Sequence, residues 1–390
     1  MRALGEGGGV DHNTDQARLP LAGLKVISMA EQYPGPFCTL MLSDFGADVI
    51  QVERPGTGDP SRFLAPFYES LNRGKRSLAL DARKPEDHAR LLALLDTADV
   101  FLEGFRPGKL AKLGLDWETL SERNPRLIYC SISGFGQTGP YRDRPAHDIT
   151  YQGVGGALDE RLSGDVTGLP PGFLLGDTMS ALYAAIGVLT ALQGRERTGK
   201  GTYLDVSMSD TVTAAFTAFA AMAGQDGPAP PQAEPAYDMF ECADATWLTL
   251  SIAHEDAYWA RLCGTLGLED VADLKRPERV ARRAEFKARI ADVIKTKPRD
   301  HWAEVLDASD QMWGPVNALG DLATDPHILA RGLMQRLMRA DGAEQWIVRQ
   351  PIRFSAYDNA PLSRAPGVGE HADATFDGVH GTDTKSGEES

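Results

Sequence analysis

The sequence has few cysteines, and their spacing gives them no shared role. Four cysteines stand among 390 residues, and none belongs to a C-x-x-C pair. Each lies in an apolar or helical-looking run, which is typical of buried thiols in a reducing compartment. The eight histidines form no H-x-x-x-H pair that a helix would turn toward one metal ion. We therefore expect no disulfide framework, no zinc site and no bound metal.

Long apolar runs and an excess of positive charge are also missing. No stretch approaches the ~18 uninterrupted apolar residues of a membrane-spanning helix, and the N-terminus has no apolar signal core. Lysine and arginine number 40 against 55 aspartates and glutamates, a formal net charge of −15. This charge disfavours general affinity for nucleic acid or for an anionic membrane surface. We expect a cytoplasmic protein that acts on neither.

The first half of the sequence alternates short apolar strands with helices. Short apolar strands separated by helices predict an α/β fold, with a mostly parallel sheet covered on both faces. The predicted strands are Leu24–Met29, Asp48–Glu53, Val100–Glu103, Leu127–Ser133 and Thr202–Met208. The predicted helices in this half are Pro36–Phe45, Pro85–Ala98 and Asp177–Leu192.

Composition divides the chain further, and 390 residues are enough for two or three domains. The segment 224–235 is rich in proline and glycine, which is typical of a linker. We predict a flexible leader at 1–18, a large α/β domain at 19–223, a smaller α+β domain at 236–322, a return to the large domain at 323–373 and a flexible tail at 374–390.

A glycine pattern follows the predicted strand Leu127–Ser133. Gly134, Gly136 and Gly139 fit G-x-G-x-x-G, the phosphate-binding fingerprint of dinucleotide enzymes. That fingerprint needs a helix directly after the glycines, because the helix N-terminus holds the pyrophosphate. Here the next residues are PYRDRP, which predict a loop. We interpret the glycines as permitting tight turns and a close approach of the backbone to another group.

Several longer motifs occur in order along the chain, and together they are highly specific. They include GLKVISMAEQYPGPFCTLMLSDFGADVIQVERPGTGD, NRGKRSLALD, DVFLEGFRPGKLAKLGL, NPRLIYCSISGFGQTGPYRDRPAHDITY, LLGDTMSALYAAIGVL, GKGTYLDVSM, DMFECADATWLTLS and DPHILARG. Over residues 20 to 373 the chain resembles the family III CoA-transferases and the related α-methylacyl-CoA racemases. The resemblance implies a nucleotide-binding-type α/β domain with a smaller domain, an interlocked homodimer, a CoA thioester as substrate, and no metal or redox cofactor.

Three positions of the motif pattern bear on the type of reaction. The resemblance assigns catalytic roles to His147 in AHDI, Asp177 in LLGDTMS and Glu241 in FECADA, and the racemases carry all three residue types. The sequence departs from the family pattern at Ala245, where relatives have glycine. It also has APPQAEPAYD where many transferases place a run of glycines.

The two branches would use these residues differently. In a racemase, His147 and Asp177 act as base and acid on opposite faces of the α-carbon, and Glu241 keeps Asp177 protonated by sharing its proton. In a transferase, the Asp177 carboxylate attacks the thioester and forms an aspartyl anhydride and then an aspartyl-CoA thioester. We favour racemisation of a 2-methylacyl-CoA, with CoA transfer to a carboxylic acid as the alternative. A non-catalytic acyl-CoA-binding protein is disfavoured by the complete set of three.

Position alone allows plainer roles for the same residues. Asp177 follows a glycine at a helix start, where an aspartate is a common N-cap worth about 1 kcal/mol. A histidine beside an aspartate more often makes loop hydrogen bonds than acts as a base, and Glu241 at a strand edge suits a solvated surface.

The phosphates of CoA require cationic partners, and one short segment concentrates them. Asn72, Arg73, Lys75 and Arg76 lie in NRGKRS, which is either a solvated turn or, by the resemblance, a site for the adenosine phosphates. Arg suits phosphate because its planar donors reach two oxygens at once. The resemblance adds four more CoA-binding candidates, which are Arg54, Phe105, Lys112 and Tyr151.

Overall fold

The structure is a computed structural model that describes residues 19–159, 173–223, 234–357 and 360–376. The predicted leader 1–18 lies outside the described residues, as do most of the predicted linker 224–235 and most of the predicted tail. The chain divides into two compact units. One contains the residues up to Ala221 and those from Gly332 onward, and the other is Met222–Arg331.

The first unit is built on a six-stranded parallel sheet with the strand order β3-β2-β1-β4-β5-β6. The strands are β1 (Lys25–Ser28), β2 (Asp48–Glu53), β3 (Arg76–Ala79), β4 (Val100–Glu103), β5 (Ile128–Ser133) and β6 (Thr202–Ser207). In the central register Ile27 of β1 is aligned with Ile50 of β2 and with Phe101 of β4. This is the order of doubly wound nucleotide-binding folds, so the predicted fold class is confirmed.

Helices cover the sheet and follow its strands along the chain. They are α1 (Pro34–Asp44), α2 (Ala65–Asn72), α3 (Pro85–Leu95), α4 (Trp117–Arg123), α5 (Asp148–Val154), α6 (Leu175–Thr198), α7 (Met208–Ala215) and α8 (Thr217–Met222). Single turns of 3-10 helix lie at Pro60–Phe63 and Leu110–Leu113.

Two separate apolar clusters show that both faces of the sheet are buried. Val26, on one face, packs in a cluster with Leu42 of α1 and Val188 of α6. Its neighbour Ile27 points to the other face and clusters with Leu91 of α3. Successive strand residues alternate between faces, which explains why the strands are continuous apolar runs in the sequence rather than an alternation.

The strand order reverses between β1 and β4, and this point positions the candidate site. The chain leaves β1 toward one side of the sheet and leaves β4 toward the other, so a crevice opens at their carboxyl ends. Gly35, at the start of α1, keeps this region tight, since a Cβ there would lie 2.1 Å from the Cβ of Ala30.

The second unit combines a three-stranded antiparallel sheet, in the order β7-β8-β9, with helices. Its elements are β7 (Tyr237–Glu241), β8 (Trp247–Ser251), α9 (Asp256–Leu266), α10 (Arg276–Ala281), α11 (Arg283–Ile294), α12 (Arg299–Ala308), β9 (Trp313–Val316) and α13 (Pro326–Ala330). Its core contains Trp259 and Trp302, whose indole N–H groups donate to Val271 O and Ile294 O at 2.8 and 2.7 Å. The chain then returns to the first unit as an antiparallel pair, β10 (Met334–Met338) and β11 (Glu344–Val348).

Helix α6 differs from an ordinary amphipathic core helix. Its small residues Ala181 and Ala184 are buried in the sheet core, whereas the large apolar side chains Leu182, Ile186 and Leu189 are exposed. With 24 residues it is, by length and composition only, long and apolar enough to cross a membrane. Core helices of globular proteins share this length and composition, and Ala181 and Ala184 of α6 are packed in the sheet core.

Candidate active site

A cavity of about 310 Å³ opens at the reversal of strand order in the first unit. Its walls come from the segments that follow β1, β4 and β5 and from the starts of α5 and α6. Among the lining residues are Glu31, Gln32, Phe105, Arg106, Gly134, Arg142, Arg144, His147, Asp148, Tyr151 and Asp177.

Asp177 lies at the third position of α6 and lines this cavity. The plain alternative of an N-cap is wrong, because the helix begins at Leu175 and no side chain caps it. Among the described residues, no group donates a hydrogen bond to the Asp177 carboxylate. Burial, and secondarily the negative charge of Asp148, raise its pKa to about 7. The positive end of the helix dipole acts in the opposite sense, and the result is a carboxyl group that ionises near neutral pH.

Asp148 supports the turn that carries Asp177. Its Oδ1 accepts the backbone N–H of Asp177 at 3.0 Å, and its Oδ2 accepts the side-chain amide of Gln152. Gly176 makes this approach possible, since a Cβ there would lie 3.1 Å from Asp148 Oδ1. Asp148 is buried, so it joins α5 to the first turn of α6 through a charged acceptor.

Tyr151 explains the first glycine of the sequence pattern. A Cβ on Gly134 would lie 2.7 Å from the Tyr151 ring, so glycine lets the ring fill the wall of the cavity. The Tyr151 hydroxyl donates to Ala146 O at 2.9 Å. Gly136 and Gly139 adopt positive φ angles of 81° and 87°, which glycine adopts without steric cost. The loop that follows is not helical until Asp148, as the sequence predicts.

His147 and three arginines complete the wall. His147 precedes α5 and is exposed. The Arg142 guanidinium donates from Nε to Gln137 O at 2.9 Å and also pairs with Asp143. Arg144 stacks on the Tyr141 ring. Arg106 and Arg144 have no ion-pair partner in the part of the chain that the structure describes, so the cavity presents positive charge to an anionic ligand.

Two of the three cations of NRGKRS, Arg73 and Lys75, are buried in the structure. Arg73 is buried and donates to Asp44 and to Ser70 O, and burial lowers its pKa. Lys75 is also buried and donates to Pro36 O and to Asn72 Oδ1 at 2.9 and 2.8 Å.

Burial lowers the pKa of Lys75 to about 7. Arg76 pairs with Asp48 and donates to Thr375 O. None of these residues lines the cavity, so phosphate binding by this cluster stays a prediction.

The other CoA-binding candidates lie nearer the cavity or on the surface. Phe105 and Tyr151 line the cavity. Arg54, with 59% of its side chain exposed, donates two hydrogen bonds to Glu31, a lining residue, at 3.1 and 3.0 Å. Lys112 is exposed in the 3-10 turn after β4. Arg54 and Lys112 are therefore accessible to a phosphate group, whereas the buried Arg73 and Lys75 are not.

Glu241 belongs to the second unit, at the end of β7. Its Oε2 accepts Lys295 Nζ at 2.8 Å. Ala245, which replaces the glycine of the family pattern, has a φ of 59°, a left-handed conformation that glycine adopts more easily. The departure from the motif thus falls at a turn between β7 and β8.

The sequence predictions omitted Asp148, Glu31 and two of the three cavity arginines, Arg142 and Arg144. Asp148 stands beside His147 in AHDI, and two of the arginines lie in the PYRDRP loop. Signals existed, but they are weak: a loop arginine is usually solvated, and only the packed structure brings these loops together with the start of α6.

The fold and the cavity define a doubly wound α/β protein with a titratable carboxyl group in the crevice at its topological switch point. The chain belongs to CoA-transferase family III, whose family model matches residues 21–372. It is 35% identical over 386 residues to the succinate–glutarate CoA-transferase of Agrobacterium fabrum, covering 90% of this chain and 94% of that one. It is also 35% identical over 380 residues to the succinyl-CoA:mesaconate CoA-transferase of Haloarcula hispanica, with the same coverages of 90% and 94%. Among solved structures, a CAIB/BAIF family protein from Brucella suis superimposes with a TM-score of 0.80 at 34% identity, covering 91% of this chain and 98% of that one.

These relatives correct the preferred reaction. The sequence favoured an acyl-CoA racemase, whereas both relatives are named as CoA-transferases. The prediction of racemisation is therefore wrong, and the alternative of CoA transfer is the better one. The error arose because Asp177 serves both mechanisms, and the residue types at His147 and Glu241 do not exclude transfer.

Proposed function

We propose that this protein transfers CoA from an acyl-CoA to a carboxylic acid, with Asp177 as the nucleophile. The observation that carries the proposal is the Asp177 carboxyl group, which lines the cavity at the strand reversal and accepts no hydrogen bond from any described residue. Similarity to named CoA-transferases over nine-tenths of the chain supports the reaction type.

Covalent catalysis by a carboxylate accounts for the chemistry without an external base. The Asp177 carboxylate oxygen attacks the thioester carbonyl carbon, the carbon–sulfur bond breaks, and the CoA thiolate leaves. The thiolate then attacks the Asp177 carbonyl carbon of the anhydride, which releases the donor acid and forms an aspartyl-CoA thioester. The acceptor carboxylate repeats the two steps in the opposite direction, so no proton needs to be taken from carbon.

Positive charge at the cavity wall suits the anionic partners of such a reaction. Arg106 and Arg144 line the cavity without a carboxylate partner among the described residues. A guanidinium group binds a carboxylate or a phosphate through paired donors. We propose a short dicarboxylic acid as one substrate, because the relatives are named for succinate, glutarate and mesaconate. Arg54, Phe105, Lys112 and Tyr151 are proposed to bind CoA.

We also propose that the protein works as an interlocked homodimer in the cytoplasm. Large apolar residues of α6, together with Ile149 and Val154 of α5, are exposed in the single chain. A second copy of the chain would remove these residues from water. Four free, buried cysteines suit a reducing compartment.

The experiment that tests the reaction is covalent trapping. The enzyme is mixed with succinyl-CoA without an acceptor, and the peptide that contains Asp177 is examined by mass spectrometry. We expect a gain of one CoA on Asp177, its removal by hydroxylamine, and its absence in Asp177→Ala. Addition of glutarate or mesaconate should discharge the adduct and yield the new thioester. An unmodified Asp177 under turnover conditions would exclude the proposal.

A further inference from the structure

Three neighbouring strands carry polar residues at the same level of the sheet, next to the cavity. Glu103 of β4 is aligned with Ser131 of β5, and Ser131 is aligned with Asp205 of β6. Glu103 and Ser131 are buried, although strand positions covered on both faces are normally apolar. Each of the three residues bonds to a segment beyond the strand ends, and these segments border the cavity.

The bonds form a connected chain. Glu103 Oε2 accepts the backbone N–H of Phe105 at 2.7 Å. Ser131 is the register neighbour of Glu103 on β5, and its hydroxyl acts against the rise that burial causes in the pKa of the Glu103 carboxyl group. Ser131 Oγ in turn accepts the side-chain amide of Gln137 at 2.9 Å. The backbone N–H of Gln137 donates to Asp205 Oδ2 at 3.0 Å.

The chain ends on the cavity wall at both sides. Phe105 lines the cavity directly. At the other end, Gln137 O accepts Arg142 Nε at 2.9 Å, and Arg142 also lines the cavity. The Arg142 guanidinium also lies near the Phe105 loop, since a Cβ on Gly108 would be 3.5 Å from Arg142 Nη2. Ser131 is a second, buried connection between the two loops.

We propose that Glu103, Ser131 and Gln137 are positioning residues that couple the Phe105 loop to the Arg142 loop and set the affinity of the cavity for CoA. The proposal rests on the proposed function, because it takes acyl-CoA as the ligand of the cavity. A buried carboxylate and hydroxyl are costly to retain without hydrogen bonds, and here their bonds go to cavity loops rather than to the interior.

The test is a double-variant cycle read as CoA binding. Gln137→Ala removes the bond to Ser131, and Ser131→Ala removes the hydroxyl that stands between Glu103 and Gln137. Each substitution interrupts the chain, so each should raise the Kd for free CoA about ten-fold. Both residues belong to the same chain of contacts, so their effects should not add. The Kd of the double variant should exceed the Kd of either single variant by no more than about two-fold. Glu103→Gln, which keeps an acceptor for the Phe105 N–H, should retain more affinity than Glu103→Ala.

Controls separate this coupling from simple stability. Ser309→Ala removes a hydroxyl that bonds only within α12 and its end in the second unit, and it should leave the Kd unchanged. Thermal unfolding identifies any variant that is not folded. If the alanine variants do not fold, the Kd of Glu103→Gln is compared with that of the wild type instead. With succinyl-CoA and glutarate, KM for the acyl-CoA should rise while kcat changes by less than about three-fold.

Two outcomes would overturn the proposal: unchanged Kd values in folded Ser131→Ala and Gln137→Ala, or a double variant whose loss is the product of the single losses. Failure of the proposed function would look different. The wild type would then form no aspartyl-CoA, whatever the CoA affinities of the variants.

Discussion

The backbone N–H of Asp177 donates to Oδ1 of Asp148 at 3.0 Å, so two carboxyl groups share the junction of α5 and α6. Both oxygens of the Asp148 carboxyl group accept hydrogen bonds. The Asp177 carboxyl group faces the cavity and accepts no hydrogen bond from the described residues. The arrangement holds Asp177, the proposed nucleophile, in place and makes its ionisation more costly, since like charges at short range resist joint ionisation.

Asp148→Asn separates these two effects. Asparagine keeps the oxygen that accepts the Asp177 N–H but removes the negative charge. The pKa of Asp177, raised to about 7 by burial and by Asp148, should fall. We expect the acid limb of aspartyl-CoA formation to lie near pH 7 in the wild type and to move to lower pH in the variant, because only the contribution of Asp148 to the raised pKa is removed.

Single-turnover trapping with succinyl-CoA from pH 5 to pH 9 measures this limb without the ionisation of an acceptor acid. Tyr151 does not titrate in this range, because burial and the charges of Asp177 and Asp148 raise its pKa to about 12. Asp148→Ala, which also loses the acceptor, should slow the reaction at every pH. An acid limb at the same pH in Asp148→Asn would show that Asp148 does not act through its charge.

Asp177→Asn should abolish transfer yet stabilise the protein at alkaline pH. The folded-state pKa of Asp177, about 7, lies above the ordinary aspartate value of 3.8, so the folded state binds the proton more tightly. The wild type therefore loses stability as the pH rises from about 4 to about 7, and the asparagine variant is spared this loss. We expect the variant to be more stable at pH 8, by at most about 4 kcal/mol, and about equally stable at pH 4, as measured by calorimetry. A constant difference across this range would contradict the assignment.

Much of the sheet is readable from the sequence because its strands are buried on both faces. Val100–Glu103 and Asp48–Glu53 are found with the bounds that the residues indicate. Strand β3 is harder, since Arg76–Ala79 begins with a charge that belongs to a pair with Asp48 and resembles part of a basic surface cluster. That pair joins residues far apart in sequence, and no local pattern shows it.

The second unit shows the same limit. Two helices, α10 and α11, are found over residues 276–294, with a break at Arg282. The buried Arg279 donates to Glu234 and to Asp256, a contact that periodicity does not reveal. At the site, the sequence identifies residue types but not partners. Glu241 is paired with Lys295, Arg73 and Lys75 of NRGKRS are buried, and Arg76 is paired with Asp48.

CoA binding should depend on Arg54 more than on the buried cations. Arg54 is largely exposed and held by Glu31 at the cavity wall, so its guanidinium group can reach a phosphate. We expect Arg54→Ala to raise KM for the acyl-CoA about ten-fold with little change in thermal stability. Arg73→Ala removes the ion-pair partner of the largely buried Asp44 and should lower the melting temperature by several degrees. A ten-fold rise in KM for Arg73→Ala, with unchanged thermal stability, would instead support phosphate binding by the NRGKRS residues.

His147 should be dispensable for transfer, because the mechanism takes no proton from carbon. It lies exposed at the rim of the cavity, immediately before α5. We expect His147→Ala to retain more than about a third of the wild-type kcat, whereas Asp177→Ala retains none. In deuterated water without an acceptor, the wild type should incorporate no deuterium at C2 of a chiral 2-methylacyl-CoA. Exchange that depends on His147 would contradict this mechanism.

The exposed apolar side of α6 should be covered by a second copy of the chain. Ile186 is 58% exposed, and Leu182 lies one turn before it on the same side of the helix. Sedimentation equilibrium should give about twice the chain mass of 42.2 kDa. Ile186→Lys places a charge on this surface and should yield monomer or aggregate, because burying an unpaired charge is costly. Glu196→Lys, a change of charge on the exposed part of the same helix, is the matched control and should leave the dimer intact. A stable wild-type monomer would exclude both the dimer and the role of α6 as its interface.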